Sequence, residues 1–275
     1  DGASVWTNNS STSVLNVAGP LLATGVLTAT QTGNTVNYTG AAQTVKATAT
    51  YHHLTLSGSS TKTLTVTTTA INGNLTLSGT ATTATVVGLT IGGNLDVGAG
   101  TTFTAAGFAL TVTGTTTVTG ASSNLVVSNS AGTKIFTGLV TIDTSAVWNN
   151  SGNSAITMRG GLTFNGTTFT AGSGIYTFDT NSQNIGGSSA LTIPSITVTS
   201  PTVLTNTGTL TTATALAGTG SFTNGDGTGG IDTLNFGAAT IDVNTFTASA
   251  DNNLVNYNRS DVQTVEATAT YHDLT

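Results

Sequence analysis

The chain has 275 residues, of which only 6% are Asp, Glu, Lys or Arg, and its formal net charge is −6 at pH 7. Its five scattered cations form no basic patch, which argues against nucleic-acid binding. The lack of cysteine excludes disulfides, thiol catalysis and thiolate metal ligands, and no apolar run reaches the length of about 18 residues that a membrane-spanning helix needs.

The composition favours strands over helices. Threonine makes up about a quarter of the chain, and β-branched residues fit the pleated surface of a sheet. Strong helix formers such as Met, Glu and Lys are scarce, and no segment shows a sustained apolar stripe with the helical period. We therefore predict an all-β protein with no significant helix.

The first element along the chain is a long motif at 26–55, which returns at 168–196 and 245–275. The first and last copies share the endings KATATYHHLT and EATATYHDLT. Upstream, VWTNNSS at 5–11 resembles VWNNSGN at 147–153, so Trp6 and Trp148 occupy matching positions, which suits packing. Spacing lengthens around each copy, and we expect an extended coil there.

A short unit follows, in which apolar residues alternate with Thr or Ser and then break at Gly, Asn or Ser. Alternation predicts half-buried strands, and Gly and Asn supply turns. The repeat distance lies between 20 and 23 residues, as one coil of a β-solenoid requires. The units are anchored on Leu54, Leu75, Leu95, Thr117, Val140 and Leu162.

The fold predicted from these repeats is a single right-handed parallel β-solenoid, with coils of about 20–24 residues, continuous over 1–275. Inward Leu, Val, Ile and Phe would stack into one core, and outward Thr would form a polar surface. A chain of small β-sandwich domains is the alternative. Only three prolines occur, at 20, 194 and 201, and they mark no linkers between such domains.

The pattern TFTAS…NxVNYxG…QTVxAxxYxxLTLSG…TKTL resembles the β-strand-repeat surface proteins of bacteria. The resemblance covers 26–64, 168–198 and 245–275, about a third of the chain. It implies a secreted, surface-displayed parallel β-solenoid of adhesin or filament type, without implying a ligand. The second copy departs from the pattern, because Phe178 replaces the Tyr and Asn184-Ile185 replaces Thr-Val.

The segment GDGTGGIDTLNFG at 225–237 is the best candidate for a metal site. It resembles a calcium-binding β-roll repeat, and Asp226 and Asp232 would supply carboxylates in a Gly-rich turn. A β-roll site needs two adjacent turns, however, and only one copy is present. We expect no required cofactor, with calcium as the candidate ion and a simple Gly-rich turn as the alternative.

Charge differences between the first and last long copies indicate a second candidate site. Lys46 corresponds to Glu266, and His53 corresponds to Asp273. These residues would pair if copies from neighbouring subunits or repeats faced each other; drift at solvent-exposed positions is the alternative. His52 and His53 are adjacent, so on one strand their rings should point to opposite faces.

Catalysis and ice binding receive little support. The acids stand alone among polar residues rather than in the pairs that glycoside chemistry needs, so we predict that the protein is not an enzyme. Ordered T-x-T ranks would bind ice, but the pairs are irregularly placed in the sequence. They are Thr48/Thr50, Thr111/Thr113, Thr117/Thr119, Thr197/Thr199 and Thr268/Thr270.

We therefore expect an extracellular structural protein that forms or decorates a cell-surface filament, sheath or adhesin stalk. A glycan- or surface-binding adhesin module is the alternative, ahead of an ice-binding or polysaccharide-active protein. The expected partners are copies of itself or flanking repeats of a longer chain, together with a glycan or cell surface. Two interpretations of the uncapped repeats stay open: a segment of a longer solenoid, or a subunit that pairs with its neighbours.

Overall fold

The computed structural model describes residues 4–47, 50–267 and 269–275, and this part of the chain contains strands and turns but no helix. The chain winds into a parallel β-solenoid of about 13 coils, and every strand pairing in the described residues is parallel. A coil contributes up to three short strands, which join three ladders that we name A, B and C in chain order. Membrane-crossing helices are accordingly absent from the described residues.

The strands of ladders A and B are two to five residues long, apart from two longer strands that turn the corner and belong to both ladders. Ladder A contains Val5–Thr7, Val26–Thr28, Thr50–Tyr51, Ala70–Ile71, Leu89–Ile91, Leu110–Val112, Lys134–Phe136, Ile156–Met158, Tyr176–Phe178 and Ser195–Val198. Ladder B contains Val14–Val17, Thr35–Tyr38, His53–Leu56, Leu75–Leu77, Leu95–Val97, Thr116–Val118, Val140–Ile142, Leu162–Phe164, Gln183–Gly186 and Val203–Thr207. The shared strands are Ala215–Asn224 and Asp242–Thr247.

Ladder C is divided into a seven-stranded and a five-stranded sheet. The first sheet contains Gln43–Thr44, Ser59–Thr63, Thr80–Ala84, Thr102–Ala105, Asn124–Val127, Val147–Asn149 and Thr168–Thr170. The second contains Leu191–Thr192, Thr209–Thr212, Asp232–Phe236, Asn253–Tyr257 and Asp273–Leu274.

The predicted repeat of about 22 residues is confirmed as the coil length, with one correction of register. Leu54 pairs with Leu75, and Leu75 with Leu95, but the next inward residue is Thr116, because Thr117 pairs with the outward Asp96. The side chain of Thr116 is fully buried, and its hydroxyl has no hydrogen-bond partner. The sequence could not show this shift of one residue, because Thr116 and Thr117 are both threonine and hydrophobicity does not tell which of them faces inward.

The interior of the coils holds the apolar half of each alternating strand. Most three-residue strands bury their first and third residues and expose the second in part, as a period of two requires. In several coils the corner between ladders A and B contains glycine, as at Gly73, Gly93 and Gly114. A Cβ atom on Gly114 would lie 2.3 Å from Asn94 Oδ1 and 2.6 Å from the carbonyl carbon of Gly93, so no larger residue fits where these coils stack.

The expectation of an extended coil near each long motif is wrong. The Cα partners Val36 and Leu54 are 18 residues apart, and Phe178 and Val198 are 20 apart, which are ordinary coil lengths. The apparent lengthening came from comparing residues of different ladders. Leu162 lies on ladder B, whereas Ile196 lies on ladder A.

The copies of the long motif start on different ladders, which the sequence did not predict. In the coil before each copy, an aromatic residue stacks under an apolar residue at the start of the copy. Trp6 pairs with Leu27 on ladder A, Trp148 with Phe169 on ladder C, and Phe222 with Phe246 on ladder B. The motif is therefore a local packing unit of about two coils that can begin on any side of the solenoid.

Candidate functional site

A pair of buried tyrosines closes the first copy of the long motif. The hydroxyls of Tyr38 and Tyr51 lie 3.4 Å apart. The backbone N–H of Lys46 donates to Tyr38 Oη at 2.7 Å, and Tyr51 Oη donates to the Lys46 carbonyl at 2.6 Å. Burial raises the pKa of both phenols, so both stay protonated. Their hydrogen bonds hold the segment between the two tyrosines in place.

The last copy repeats this arrangement. The hydroxyls of Tyr257 and Tyr271 lie 2.7 Å apart, the Glu266 N–H donates to Tyr257 Oη at 3.1 Å, and Tyr271 Oη donates to the Glu266 carbonyl at 3.0 Å. Burial also raises the pKa of Tyr271. The tyrosines therefore serve the fold, which explains their recurrence in the sequence without a ligand.

The middle copy has one buried tyrosine, which hydrogen-bonds to a tryptophan instead of to a second tyrosine. Tyr176 Oη donates to the Ala171 carbonyl at 3.1 Å and accepts from Trp148 Nε1 at 2.9 Å. Trp148 is fully buried, whereas the matching Trp6 is 49% exposed. The expectation that the two tryptophans pack thus holds for Trp148, while Trp6 lies in the first described coil and packs on one side.

The predicted assembly residues Lys46 and Glu266 occupy matching loops near opposite ends of the solenoid. Lys46 Nζ donates to the Leu22 carbonyl at 2.5 Å, and Glu266 stands in the equivalent place on the last described coil. About ten coils separate them, so a contact between these charges would require a second copy. Their pairing stays a prediction.

The histidines of the first copy lie at the corner between ladders A and B. The rings of His52 and His53 meet edge to face, with centroids 4.2 Å apart. The expectation that they point to opposite faces is wrong, because His52 lies in the bend before the strand His53–Leu56. Each ring accepts a backbone hydrogen bond from a neighbouring coil: His52 Nδ1 from Gly33 at 3.1 Å, and His53 Nδ1 from Asn74 at 2.9 Å.

The matching corner of the last copy carries acids in place of His53 and Thr32. His272 Nδ1 lies 3.3 Å from Asp273 Oδ2, and His272 Nε2 lies 3.8 Å from Asp251 Oδ1. The backbone is held as in the first copy, since His272 N–H donates to the Ala248 carbonyl at 2.9 Å. The same motif therefore places its histidine in two different electrostatic settings.

The candidate calcium residues meet in one loop. The Asp226 carboxylate accepts from the N–H and hydroxyl of Thr228, at 2.8 and 2.7 Å, and these bonds lower the pKa of Asp226. Asp232 Oδ2 accepts from the Asp226 N–H at 3.3 Å, and burial raises the pKa of Asp232. Nowhere in the described residues do three or more His, Cys, Asp or Glu side chains form a metal-binding group. Calcium binding here stays a prediction.

Two buried lysines are the polar features that sequence reasoning missed. Lys134 Nζ donates to the carbonyls of Phe108, Ala131 and Gly132 at 2.8–2.9 Å. Lys62 Nζ donates to the carbonyls of Gly40 and Ala41 and to Gln43 Oε1. Burial lowers the pKa of both lysines. Only the alternation, which puts Lys134 at an inward position, could have indicated them.

Outward threonines form two rows that the T-x-T search did not reveal. The rows follow the strand pairing from coil to coil, not the spacing along the chain, and Ile135 and Asp96 interrupt them. Thr48 and Thr268 lie outside the described residues. The row on ladder A is Thr90, Thr111, Thr157, Thr177 and Thr197, and the row on ladder B is Thr55, Thr76, Thr117, Thr141 and Thr163.

A cavity of about 710 Å³ lies between the loop at 18–23 and the segment at 41–47. Its lining is mostly apolar and includes Pro20, Leu21 and Val45. It contains no carboxylate, and its one cation, Lys46, is engaged with the Leu22 carbonyl. This lining offers no general acid or base pair.

Comparison with protein-family models, with curated proteins and with solved structures found no match to this chain.

Proposed function

We propose that this chain is a structural element of an extracellular surface assembly, such as a filament, a sheath or an adhesin stalk. The observation that carries the proposal is the continuous strand pairing of ladder B from coil to coil, because each coil adds backbone pairing and core burial to its neighbours. Stacked at roughly 4.8 Å per coil, about 13 coils give a rod on the order of 60 Å long.

The surface supports the same proposal. Only 6% of the residues are charged, so hydroxyl and amide groups, which do not ionise, provide most of the polar surface. The long motif resembles that of β-strand-repeat surface proteins, which favours a position outside the cell. Tyrosine, asparagine and lysine side chains along the solenoid hold backbone groups, as expected of a protein that serves rigidity.

Negative-stain microscopy combined with sedimentation velocity tests this proposal. We expect rigid rods of the stated length that join into fibres, or line up side by side, as concentration rises. Monodisperse rods that stay single at every concentration and that carry a ligand or turn over a substrate would contradict it.

A glycan-binding adhesin module is the second candidate, and the two threonine rows favour it. Their hydroxyls repeat from coil to coil in strand register, which suits the regular surface of a packed polysaccharide. Pull-down with insoluble glycans would test it, using Thr157→Val, Thr177→Val and Thr197→Val together. Retention by the native chain and loss in the triple variant would support glycan binding, and retention by neither would exclude it.

A further inference from the structure

The two histidines of the first copy connect three successive coils. His52 Nδ1 accepts from the Gly33 N–H of the preceding coil, and His53 Nδ1 accepts from the Asn74 N–H of the following coil. A ring nitrogen accepts a hydrogen bond only when it carries no proton. Both imidazoles must therefore be neutral, with the proton on Nε2, for these contacts to exist.

No charged side chain is available to compensate a proton at this corner. The segments that pack below and above it, 26–38 and 70–77, contain no Asp, Glu, Lys or Arg. Within the same stretch, Lys46 and Lys62 direct their ammonium groups to carbonyls elsewhere. The remaining titratable groups, Tyr38 and Tyr51, hydrogen-bond to each other and to Lys46.

Protonation would break both contacts and create repulsion. A protonated Nδ1 turns from acceptor to donor and faces the N–H of Gly33 or Asn74. Two cationic rings with centroids 4.2 Å apart also repel each other. Consistent with this geometry, burial lowers the pKa of His53, and the charge of His52 lowers it further.

The last copy provides an internal contrast. Its histidine, His272, faces Asp273 and Asp251, and the position of His53 is itself occupied by Asp273. A proton on His272 therefore gains carboxylate partners instead of losing a backbone hydrogen bond. Acid should leave this end of the solenoid intact.

We propose that the His52–His53 corner is an acid-sensitive fastener, which releases the turn at 31–34 and the corner at 72–74 when the pH falls, while the last copy stays closed. The direction follows from linkage. Because folded His53 binds a proton less readily than an unfolded histidine, with a pKa of about 6.5, stability is present above that pH and is lost as the pH falls through it.

Amide hydrogen exchange measured by NMR tests the fastener in the native chain. We compare protection factors at about pH 7.5 and about pH 5, so that the intrinsic pH dependence of exchange cancels. Protection of the Gly33 and Asn74 amides should fall at least about tenfold on acidification. Protection of the His272 amide, which donates to the Ala248 carbonyl and not to a histidine ring, should stay constant.

His53→Asn is the matched control, because the chain itself uses asparagine at this position in the following coils. Asn74 Oδ1 accepts from the Asn94 N–H at 2.9 Å, and Asn94 Oδ1 accepts from the Thr115 N–H at 3.0 Å. An amide oxygen accepts at any pH, so H53N should keep the Asn74 amide protected at about pH 5. Equal acid loss in the native chain and H53N, or no loss in either, would overturn the proposal.

Discussion

The first and last copies of the long motif have the same backbone contacts but different surroundings. In both, a tyrosine pair brackets the residue at Lys46 or Glu266, and a glutamine side chain holds the preceding loop, Gln43 through Val17 and Gln263 through Phe236. The copies differ in ladder, in burial and in the charges at the histidine corner. The conserved contacts show what the motif needs to fold, and the differences show what it can vary.

The largest contrast is the burial of the aromatic residue that lies one coil before each copy. Phe222 is fully buried, whereas Trp6 is 49% exposed. Phe222→Ala should lower the free energy of unfolding by about 3 to 5 kcal/mol, because it leaves a cavity under Phe246. Trp6→Ala removes a larger side chain but should cost roughly 1 kcal/mol or less. Denaturant unfolding of both variants checks this, and equal losses would contradict the described packing.

The tyrosine pairs give a smaller contrast. Tyr51→Phe removes the donor to the Lys46 carbonyl and a partner of Tyr38 Oη in a fully buried place, which should cost about 1 to 3 kcal/mol. Tyr271→Phe makes the same change where the side chain is half-buried, and water can replace the lost bond. We expect thermal unfolding to show the greater loss for Y51F; a greater loss for Y271F would refute the equivalence of the two clamps.

The smallest contrast concerns charge. Thr32→Asp combined with His53→Asp installs in the first copy the carboxylates that Asp251 and Asp273 supply in the last. Whenever His52 carries a proton, it then gains ion pairs worth about 0 to 1 kcal/mol, as exposed pairs in general do. The double variant should therefore lose less stability than the native chain between about pH 7.5 and pH 5. A larger acid loss in the double variant would remove the electrostatic explanation.

The sequence predicted the fold well because the fold depends on local alternation and a fixed repeat length. Leu54, Leu75 and Leu95 could be aligned by eye, and the structure pairs them. The alignment failed at Thr117, where hydrophobicity no longer distinguishes inside from outside. The ladder on which each copy of the motif starts could not be predicted either, because it depends on the number of residues in each corner.

The candidate site was less predictable for a physical reason. Residues such as Lys62, Lys134 and His53 contact backbone groups of coils that lie 21 to 26 residues away, and no local pattern encodes such contacts. The composition predicted that threonines face outward, but it could not predict that they line up in rows from coil to coil. Their rows depend on register, which only the stacked coils provide.

The central claim is that parallel coils stack in register while the motif advances from ladder to ladder, and paired cysteines test it directly because the chain has no native cysteine. Asn235 and Asn256 are Cα partners on ladder C, whereas Thr223 lies on ladder B. Asn235→Cys with Asn256→Cys should form an intramolecular disulfide under mild oxidation, and Thr223→Cys with Asn256→Cys should stay reduced. If mass spectrometry of the oxidised variants found the second pair closed and the first pair open, Asn256 would lie on ladder B like Asn37 of the first copy, and the motif would not advance from ladder to ladder.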